Sequence, residues 1–160
     1  MPRPDDVVAR LREAGVTIAT AESLTGGALC AALVSVPGAS AVVRGGIVAY
    51  TGDMKARLLG VDPDLIARAG LVSADVAEAM ARGVRDATGA VLGVATTGAA
   101  GPEAHDGAPP GRAHVAVAGP AGAASRLVEI DGDRDAVRAG AVDAALGLVL
   151  ASLARDVTSL

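Results

Sequence analysis

Short apolar strands alternate with helical segments along this chain, and this alternation limits the possible folds more than any other feature of the sequence. Buried-strand patterns begin at Val16 (VTIAT), at Val42 (VVRGGIVAY) and at Ala90 (AVLGVATT). Helical patterns with turn signals at their ends lie between them. Helices that alternate with apolar strands favour a largely parallel or mixed sheet that is covered on both faces.

The remaining elements complete this picture. Helices are predicted after a cap at Asp5 or Asp6 up to Gly15, over ALCAALVSV before Pro37, over Met54 to Leu59, from Pro63, and after a cap at Ser73. Strands at His114 to Ala118 and Arg126 to Ile130 flank a Gly-Pro-Ala-Gly turn, typical of a hairpin, and a last helix is predicted from about Asp133 to Ala154. We therefore predict an α/β fold for residues 1–160: a single-domain three-layer α/β/α sandwich with a mixed β-sheet.

Charge and composition exclude several classes of protein. The net charge is −4 without a basic stripe, which argues against nucleic acid as a partner. One cysteine and two histidines form no recognisable structural zinc pattern, so we expect no metal and no cofactor. Neither a signal peptide nor a membrane span is recognisable, so no membrane association and a cytoplasmic location are expected.

The chain's only lysine, Lys55, lies five residues after its only tyrosine, Tyr50, although thirteen arginines are present. Arginine keeps its proton near neutral pH, whereas a desolvated lysine can lose it, so a single retained lysine indicates proton transfer. Taken alone, each residue is more often an ordinary surface or half-buried side chain. Together, and beside the next motif, they indicate a catalytic site.

The strongest motif is AESLTGG, from Ala21 to Gly27, between a predicted strand and a helix. Ser23 would there present its hydroxyl at the carboxyl edge of the sheet, while Thr25, Gly26 and Gly27 would offer free backbone N–H groups to an anion or oxyanion. The alternative is that Ser23 or Thr25 only caps the helix and the glycines allow tight packing. Glu22 is either an internal hydrogen-bond acceptor or an exposed charge.

A second glycine-rich turn, TTGAAGP, follows another buried strand and so should lie at the same edge of the sheet, where open α/β folds bind ligands. Its candidate binding groups are Thr97 and the backbone from Gly98 to Gly101. Arg134 and Arg138 lie four residues apart at the start of the last helix, where they can bind an anionic ligand or pair with Asp131 and Asp135.

Six segments in matching order and spacing, TAESLTGG, SVPGAS, RGGIVAYTGDMKARLLGV, GLVSADVAEAMARG, TTGAAGP and GDRDAVR, resemble the CinA C-terminal domain family. The resemblance extends from about Asp5 to Ala154 and is to the short, stand-alone form. Stand-alone members of this family are nicotinamide mononucleotide deamidases. The resemblance therefore implies hydrolysis of nicotinamide mononucleotide to nicotinate mononucleotide and ammonia, for pyridine-nucleotide recycling.

By the same resemblance, Ser23 is the nucleophile, Lys55 is its general base and Tyr50 is the accompanying tyrosine. The residues are compatible with these roles if a neutral Lys55 deprotonates Ser23, Tyr50 hydrogen-bonds within the pair and the N–H groups of Thr25 to Gly27 bind the oxyanion. Burial and a positive neighbour such as Arg44, Arg57 or the pyridinium of the substrate would lower the pKa of Lys55. Arg44 is thus a further substrate-side candidate. The family also commonly forms homo-oligomers.

The sequence departs from the usual family pattern in the segment 103–115, which lacks the common lysine and contains His105 and His114. Two alternatives to the deamidase therefore remain. One is a hydrolase of another small amide with the same serine and lysine. The other is a catalytically silent nucleotide-binding or regulatory module that uses the same crevice.

Overall fold

The computed structural model describes residues 1–158. Within them the chain forms five strands: β1 (Ile18–Glu22), β2 (Val43–Val48), β3 (Leu92–Gly98), β4 (Arg112–Gly119) and β5 (Gly122–Glu129). The strands make one sheet in the order β2-β1-β3-β4-β5. β1 pairs in parallel with β2 and β3, whereas β4 pairs antiparallel with β3 and β5, which makes the sheet mixed as predicted.

Helices cover both faces of this sheet. In the described residues they are α1 (Pro4–Ala14), α2 (Ala28–Val34), α3 (Gly52–Leu59), α4 (Pro63–Ala69), α5 (Ala74–Thr88) and α6 (Arg134–Thr158), with a short 3-10 helix at Ala39–Ala41. One apolar cluster joins α1, α2 and α6 to the sheet, and a second joins α3 and α5 to its other face. The prediction of a three-layer α/β/α sandwich is therefore confirmed.

Most helix ends agree with the sequence, although α3 begins at Gly52 and not at Met54, and α6 continues to Thr158 beyond the predicted end at Ala154. Ser73 caps α5 through its side chain, as predicted, and Asp62 caps α4 in the same way. The prediction that Asp5 or Asp6 caps the first helix is wrong, because Arg3 occupies the cap position and both aspartates lie in the first turn. There their negative charges interact favourably with the positive end of the helix dipole.

Small residues let the layers approach closely. The core is almost entirely aliphatic, because the chain has no Phe or Trp. At Gly83 on α5, a Cβ atom would fall on the carbonyl oxygen of Leu59, the last residue of α3. At Gly93 on β3, it would fall on the carbonyl oxygen of Ala81 on α5. Glycine at these two positions thus sets how closely α5 packs against α3 and against the sheet.

The long helix α6 (Arg134–Thr158) contains a long apolar stretch. Within its segment 134–155, an 18-residue window has a mean hydropathy of 1.6, so by length and composition alone this segment could be a membrane span. In the fold it packs on the sheet and on α1 and α2, and its buried residues belong mainly to the first apolar cluster. The small-residue segments of α2 and α6 thus serve as core helices, whereas assembly into a homo-oligomer stays a prediction.

Candidate active site

The carboxyl ends of the three parallel strands meet at one edge of the sheet. Glu22, the last residue of β1, pairs with Val48 of β2 on one side and with Thr96 of β3 on the other. The residues that follow these three strands are therefore brought together. Ser23 and Tyr50 lie here, as does the loop that follows Gly98, although these residues are far apart in the sequence.

Ser23 and Lys55 are in direct contact at this edge. The Nζ atom of Lys55 lies 2.9 Å from Ser23 Oγ. It also donates to the carbonyl oxygens of Ala49 at 2.9 Å and of Tyr50 at 3.1 Å. Lys55 projects from α3 into the interior, where it is only 1% exposed, and Ser23 is 6% exposed. The structure thus brings together the two residues on which the predicted chemistry depends.

Burial makes Lys55 easier to deprotonate than an exposed lysine, and its three oxygen partners can accommodate the neutral amine. Burial lowers the pKa of its amine from 10.5 to about 8. A neutral amine has two N–H donors and one lone pair. The carbonyls of Ala49 and Tyr50 can only accept hydrogen bonds, so they take the two N–H groups, and the lone pair is left for the hydroxyl proton of Ser23. Burial alone explains this lowered pKa, without the positive neighbour that the sequence suggested.

Tyr50 contacts the pair through its backbone and not through its phenol. Its carbonyl oxygen accepts from Lys55 Nζ and lies 3.4 Å from Ser23 Oγ. The phenol is 55% exposed, and its oxygen accepts a hydrogen bond from Nη2 of Arg134 at 3.1 Å. The expectation that the Tyr50 side chain hydrogen-bonds within the pair is therefore corrected, because the ring points to Arg134.

The turn that carries Ser23 is organised by the carboxylate of Glu22, which is 1% exposed. Its two oxygens accept from the hydroxyls of Thr20 and Thr25 and from the backbone N–H groups of Gly27, Leu29 and Cys30, at 2.7 to 3.1 Å. Glu22 is thus an internal acceptor that caps α2. The sequence motif contained this carboxylate, but only the folded chain assigns it this role.

This cap removes most of the anion site expected at the start of α2. The N–H of Gly27 is bound to Glu22, that of Gly26 donates to the carbonyl of Ser23, and the buried Thr25 hydroxyl bonds to Glu22 and Thr96. In residues 1–158, the N–H groups of Leu24 and Thr25 donate to no other protein group. Of the expected backbone donors at Thr25 to Gly27, only the N–H of Thr25 remains free, and Leu24 supplies a second.

Three further candidates have structural roles instead. Arg138 donates to the carbonyls of Leu24 and Thr25 at 3.0 and 3.1 Å, and so holds the serine turn from outside the cavity. Thr97 is 1% exposed and donates to the carbonyl of Leu71. Arg44 lies near the start of β2, at the amino ends of the parallel strands and so away from Ser23 at their carboxyl ends. Its Nε donates to the carbonyl of Thr88. Direct substrate contacts by these side chains are therefore not supported.

An open cavity of about 550 Å³ lies over Ser23. Gly98, Gly101 and Arg134 line it, as the sequence predicted, together with Tyr50. Arg134 is fixed at the rim, since Nη1 donates to the carbonyl of Gly101 at 2.8 Å while Nη2 binds the phenol of Tyr50. Its remaining N–H groups provide positive charge beside the cavity. Ala100, within the predicted backbone segment from Gly98 to Gly101, lines it as well. Sequence reasoning did not assign as binding groups the other lining residues, which are Leu24, Thr51, Gly52, Leu71, Pro102, Glu103, Ala104 and His105.

The arrangement combines the parts needed for nucleophilic attack on a small polar ligand. A hydroxyl and a buried amine form the reactive pair, two backbone N–H groups follow the serine, and a guanidinium lies at the rim of a cavity of ligand size. Among residues 1–158, no group of three or more His, Cys, Asp and Glu side chains could hold a metal ion. Groups of these kinds are those that acyl transfer through a serine requires.

Known proteins resemble this chain in sequence. A sequence model of the CinA C-terminal domain matches residues 2–153. A CinA-like protein of Frankia casuarinae is 49% identical over 148 residues, covering 92% of this chain and 34% of that protein. A CinA-like protein of Anaeromyxobacter dehalogenans is 48% identical over 151 residues, covering 94% of this chain and 37% of that protein. The chain thus spans about a third of the length of the curated relatives it matches.

Solved structures resemble it over almost their full length. A competence-damaged protein (CinA) superfamily protein from Klebsiella pneumoniae superimposes with a TM-score of 0.92 at 31% identity, covering 95% of this chain and 96% of that one. The competence/damage inducible protein CihA from Agrobacterium tumefaciens has a TM-score of 0.88 at 34% identity, with 92% of each chain covered.

Proposed function

Because the chain belongs to the CinA C-terminal domain family, we propose that it is an amidohydrolase that converts nicotinamide mononucleotide to nicotinate mononucleotide and ammonia. The observation that carries this proposal is the buried contact between Lys55 Nζ and Ser23 Oγ. The proposed substrate is taken from the deamidases whose motifs around these residues resemble those of this chain. A Ser and Lys pair suits this reaction because an amide is a poor electrophile that requires an activated nucleophile.

The first half of the reaction transfers the acyl group to the enzyme. Neutral Lys55 accepts the proton of Ser23 Oγ as that oxygen attacks the carboxamide carbon, forming a tetrahedral oxyanion. The N–H groups of Leu24 and Thr25 are the proposed donors to this oxyanion. The ammonium of Lys55 then gives its proton to the amide nitrogen, the C–N bond breaks, and ammonia leaves an acyl ester on Ser23.

The second half returns the enzyme to its starting state. Lys55, neutral again, takes a proton from a water molecule that attacks the ester carbon. Collapse of this second tetrahedral intermediate breaks the bond to Ser23 Oγ, which regains the proton from Lys55. The carboxylic acid product loses its remaining proton to solvent and leaves as nicotinate. The carbonyls of Ala49 and Tyr50 hold the amine in position in both halves.

Arg134 is the proposed contact for the substrate's phosphate, beside the backbone of Gly98 to Gly101. It lines the cavity, and two of its N–H groups are used to fix its position against Gly101 and Tyr50. A guanidinium held in this way loses little entropy when it binds an anion. Arg138 is omitted from this role because its donors hold the serine turn.

The test is ammonia release from nicotinamide mononucleotide by the purified protein and three variants. Ser23→Ala removes the nucleophile, and Lys55→Arg keeps the charge but removes the base. Ser40→Ala changes an exposed serine and serves as the matched control. We expect the native protein and the control to release ammonia, and the first two variants to lose at least about 1,000-fold in kcat.

Two results would count against the proposal in different ways. Turnover by Lys55→Arg at a near-native rate would show that Lys55 is not the base. Binding of the nucleotide without turnover by the native chain would favour a binding or regulatory module in place of an enzyme.

A further inference from the structure

Leu71 forms part of the cavity wall, and its backbone N–H and C=O are both hydrogen-bonded. Its N–H donates to Oδ2 of Asp106 at 2.6 Å, and its carbonyl accepts from the hydroxyl of Thr97 at 2.8 Å. Asp106 lies in the loop between β3 and β4, whereas Leu71 lies between α4 and α5. Two segments that are distant in sequence thus meet at this residue.

The conformation of Asp106 supports a specific role. Its φ angle is 47°, and it is the only non-glycine residue with positive φ in the described chain. Aspartate tolerates this left-handed region better than most residues, but glycine would occupy it with less strain. The backbone at Asp106 presents the carboxylate to the N–H of Leu71 in a short, charge-assisted bond that is exposed to solvent.

Leu71 connects this bond to the helix that carries the base. A Cβ atom at Gly52 would lie 3.4 Å from Cδ2 of Leu71, so the leucine side chain packs directly on the first turn of α3. Gly52 and Leu71 both line the cavity, and α3 carries Lys55. His105, the neighbour of Asp106, lines the cavity as well. A single carboxylate therefore ties the loop of residues 102–108 to the wall beside the catalytic helix.

We propose that Asp106 is a positioning residue that fixes the Leu71 wall and the loop of residues 102–108 around the bound substrate, and so determines how tightly the substrate's ring is held. Asp106 acts through Leu71 and takes no part in bond making. Loss of the Asp106 bond should therefore weaken substrate binding and leave the rate of the chemical step nearly unchanged. The identity of the substrate in this inference rests on the proposed amidohydrolase function. The contact between Asp106 and Leu71 is independent of that function.

Three substitutions at Asp106 separate the effect of losing the carboxylate from the effect of changing the backbone conformation. Asp106→Asn keeps an acceptor and tolerates positive φ, Asp106→Gly keeps the backbone but removes the acceptor, and Asp106→Ala loses both. Leu71→Ala keeps the backbone bonds and removes the side chain from the wall. Thermal unfolding of each variant verifies that it is folded.

The measurements are amide hydrogen exchange at Leu71 and steady-state kinetics with nicotinamide mononucleotide. For Asp106→Gly we expect Leu71 exchange to become at least about tenfold faster and KM to rise about tenfold, as for the loss of one charge-assisted hydrogen bond. The value of kcat should stay within about twofold. Asp106→Asn should lie close to the native protein in both measurements, and Leu71→Ala should raise KM with its amide still protected.

The outcomes distinguish this proposal from the amidohydrolase proposal. Unchanged Leu71 exchange in Asp106→Gly overturns the positioning role, whether or not the nucleotide is hydrolysed. Faster exchange with an unchanged KM also overturns it and leaves the amidohydrolase intact. Absence of turnover by the native protein overturns the proposed function and the claim about KM, while the exchange result still decides whether Asp106 holds the wall.

Discussion

The amine nitrogen of Lys55 lies 2.9 Å from the hydroxyl oxygen of Ser23, although 32 positions separate the two residues in the sequence. Two carbonyl oxygens, of Ala49 and Tyr50, occupy the other hydrogen-bonding directions of the amine. Because neither carbonyl can donate a proton, the neutral amine can accept one only from Ser23.

The first prediction concerns the pH dependence of catalysis. Lys55 must be neutral to act as a base, and burial lowers its pKa to about 8. We expect kcat/KM for nicotinamide mononucleotide to rise about tenfold per pH unit below that value and to level off above it. The measurement is a profile from pH 6 to pH 9.5, and a flat profile would exclude Lys55 as the titrating base.

The second prediction concerns stability. Between pH 8 and pH 10.5 the unfolded chain keeps the Lys55 proton while the folded chain has lost it, so the free energy of unfolding should rise with pH across this window. The expected rise from Lys55 is at most about 3 kcal/mol. Urea unfolding of the native protein and of Lys55→Met measures it, because the variant lacks this titration and the chain has no second lysine. Parallel curves for the two proteins would contradict the prediction.

The third prediction separates the two parts of Tyr50. Tyr50→Phe keeps the carbonyl that holds Lys55 and removes the phenol that binds Arg134. We expect kcat to change by less than about twofold and KM to rise about fivefold, as for the loss of one solvent-exposed hydrogen bond. Steady-state kinetics test this, and a loss of 100-fold or more in kcat would place the phenol in the chemical step.

The fourth prediction concerns Glu22. Replacement by alanine would leave five donors without their acceptor in the interior, so Glu22→Ala should lower the free energy of unfolding by about 3 kcal/mol or more. Glu13→Ala, at an exposed glutamate of α1, is the control and should change it by less than about 0.5 kcal/mol. Denaturant unfolding compares the two. Equal effects would show that the Glu22 cap contributes little.

Much of the fold followed from local patterns in the sequence. Apolar strands, glycine-ended helices and the cap at Ser73 are short-range features, and they led to the sandwich and to the edge where Ser23 lies. To predict that Ser23 and Lys55 act together required two further observations, namely the resemblance to the family and the retention of a single lysine. Local periodicity contains no information on which distant side chains touch.

The errors share one physical cause, since the partner of a polar side chain depends on tertiary position. Arg44 was assigned to the site although it lies near the start of its strand, and only the carboxyl ends of β1 to β3 reach the cavity. Arg138 and Thr97 lie near the site, but backbone carbonyls take their donors. Likewise, nothing in the motif AESLTGG reveals that the carboxylate of Glu22 folds back onto the N–H groups of α2.

The single tyrosine has a further consequence for observing this protein. With no Trp and no Phe in the chain, the near-ultraviolet absorption and the intrinsic fluorescence come from the ring of Tyr50, which forms part of the cavity wall. The spectroscopic signal of the whole molecule therefore originates at its candidate active site. A ligand that enters the cavity alters that signal directly, so its arrival can be followed in the native chain without a label.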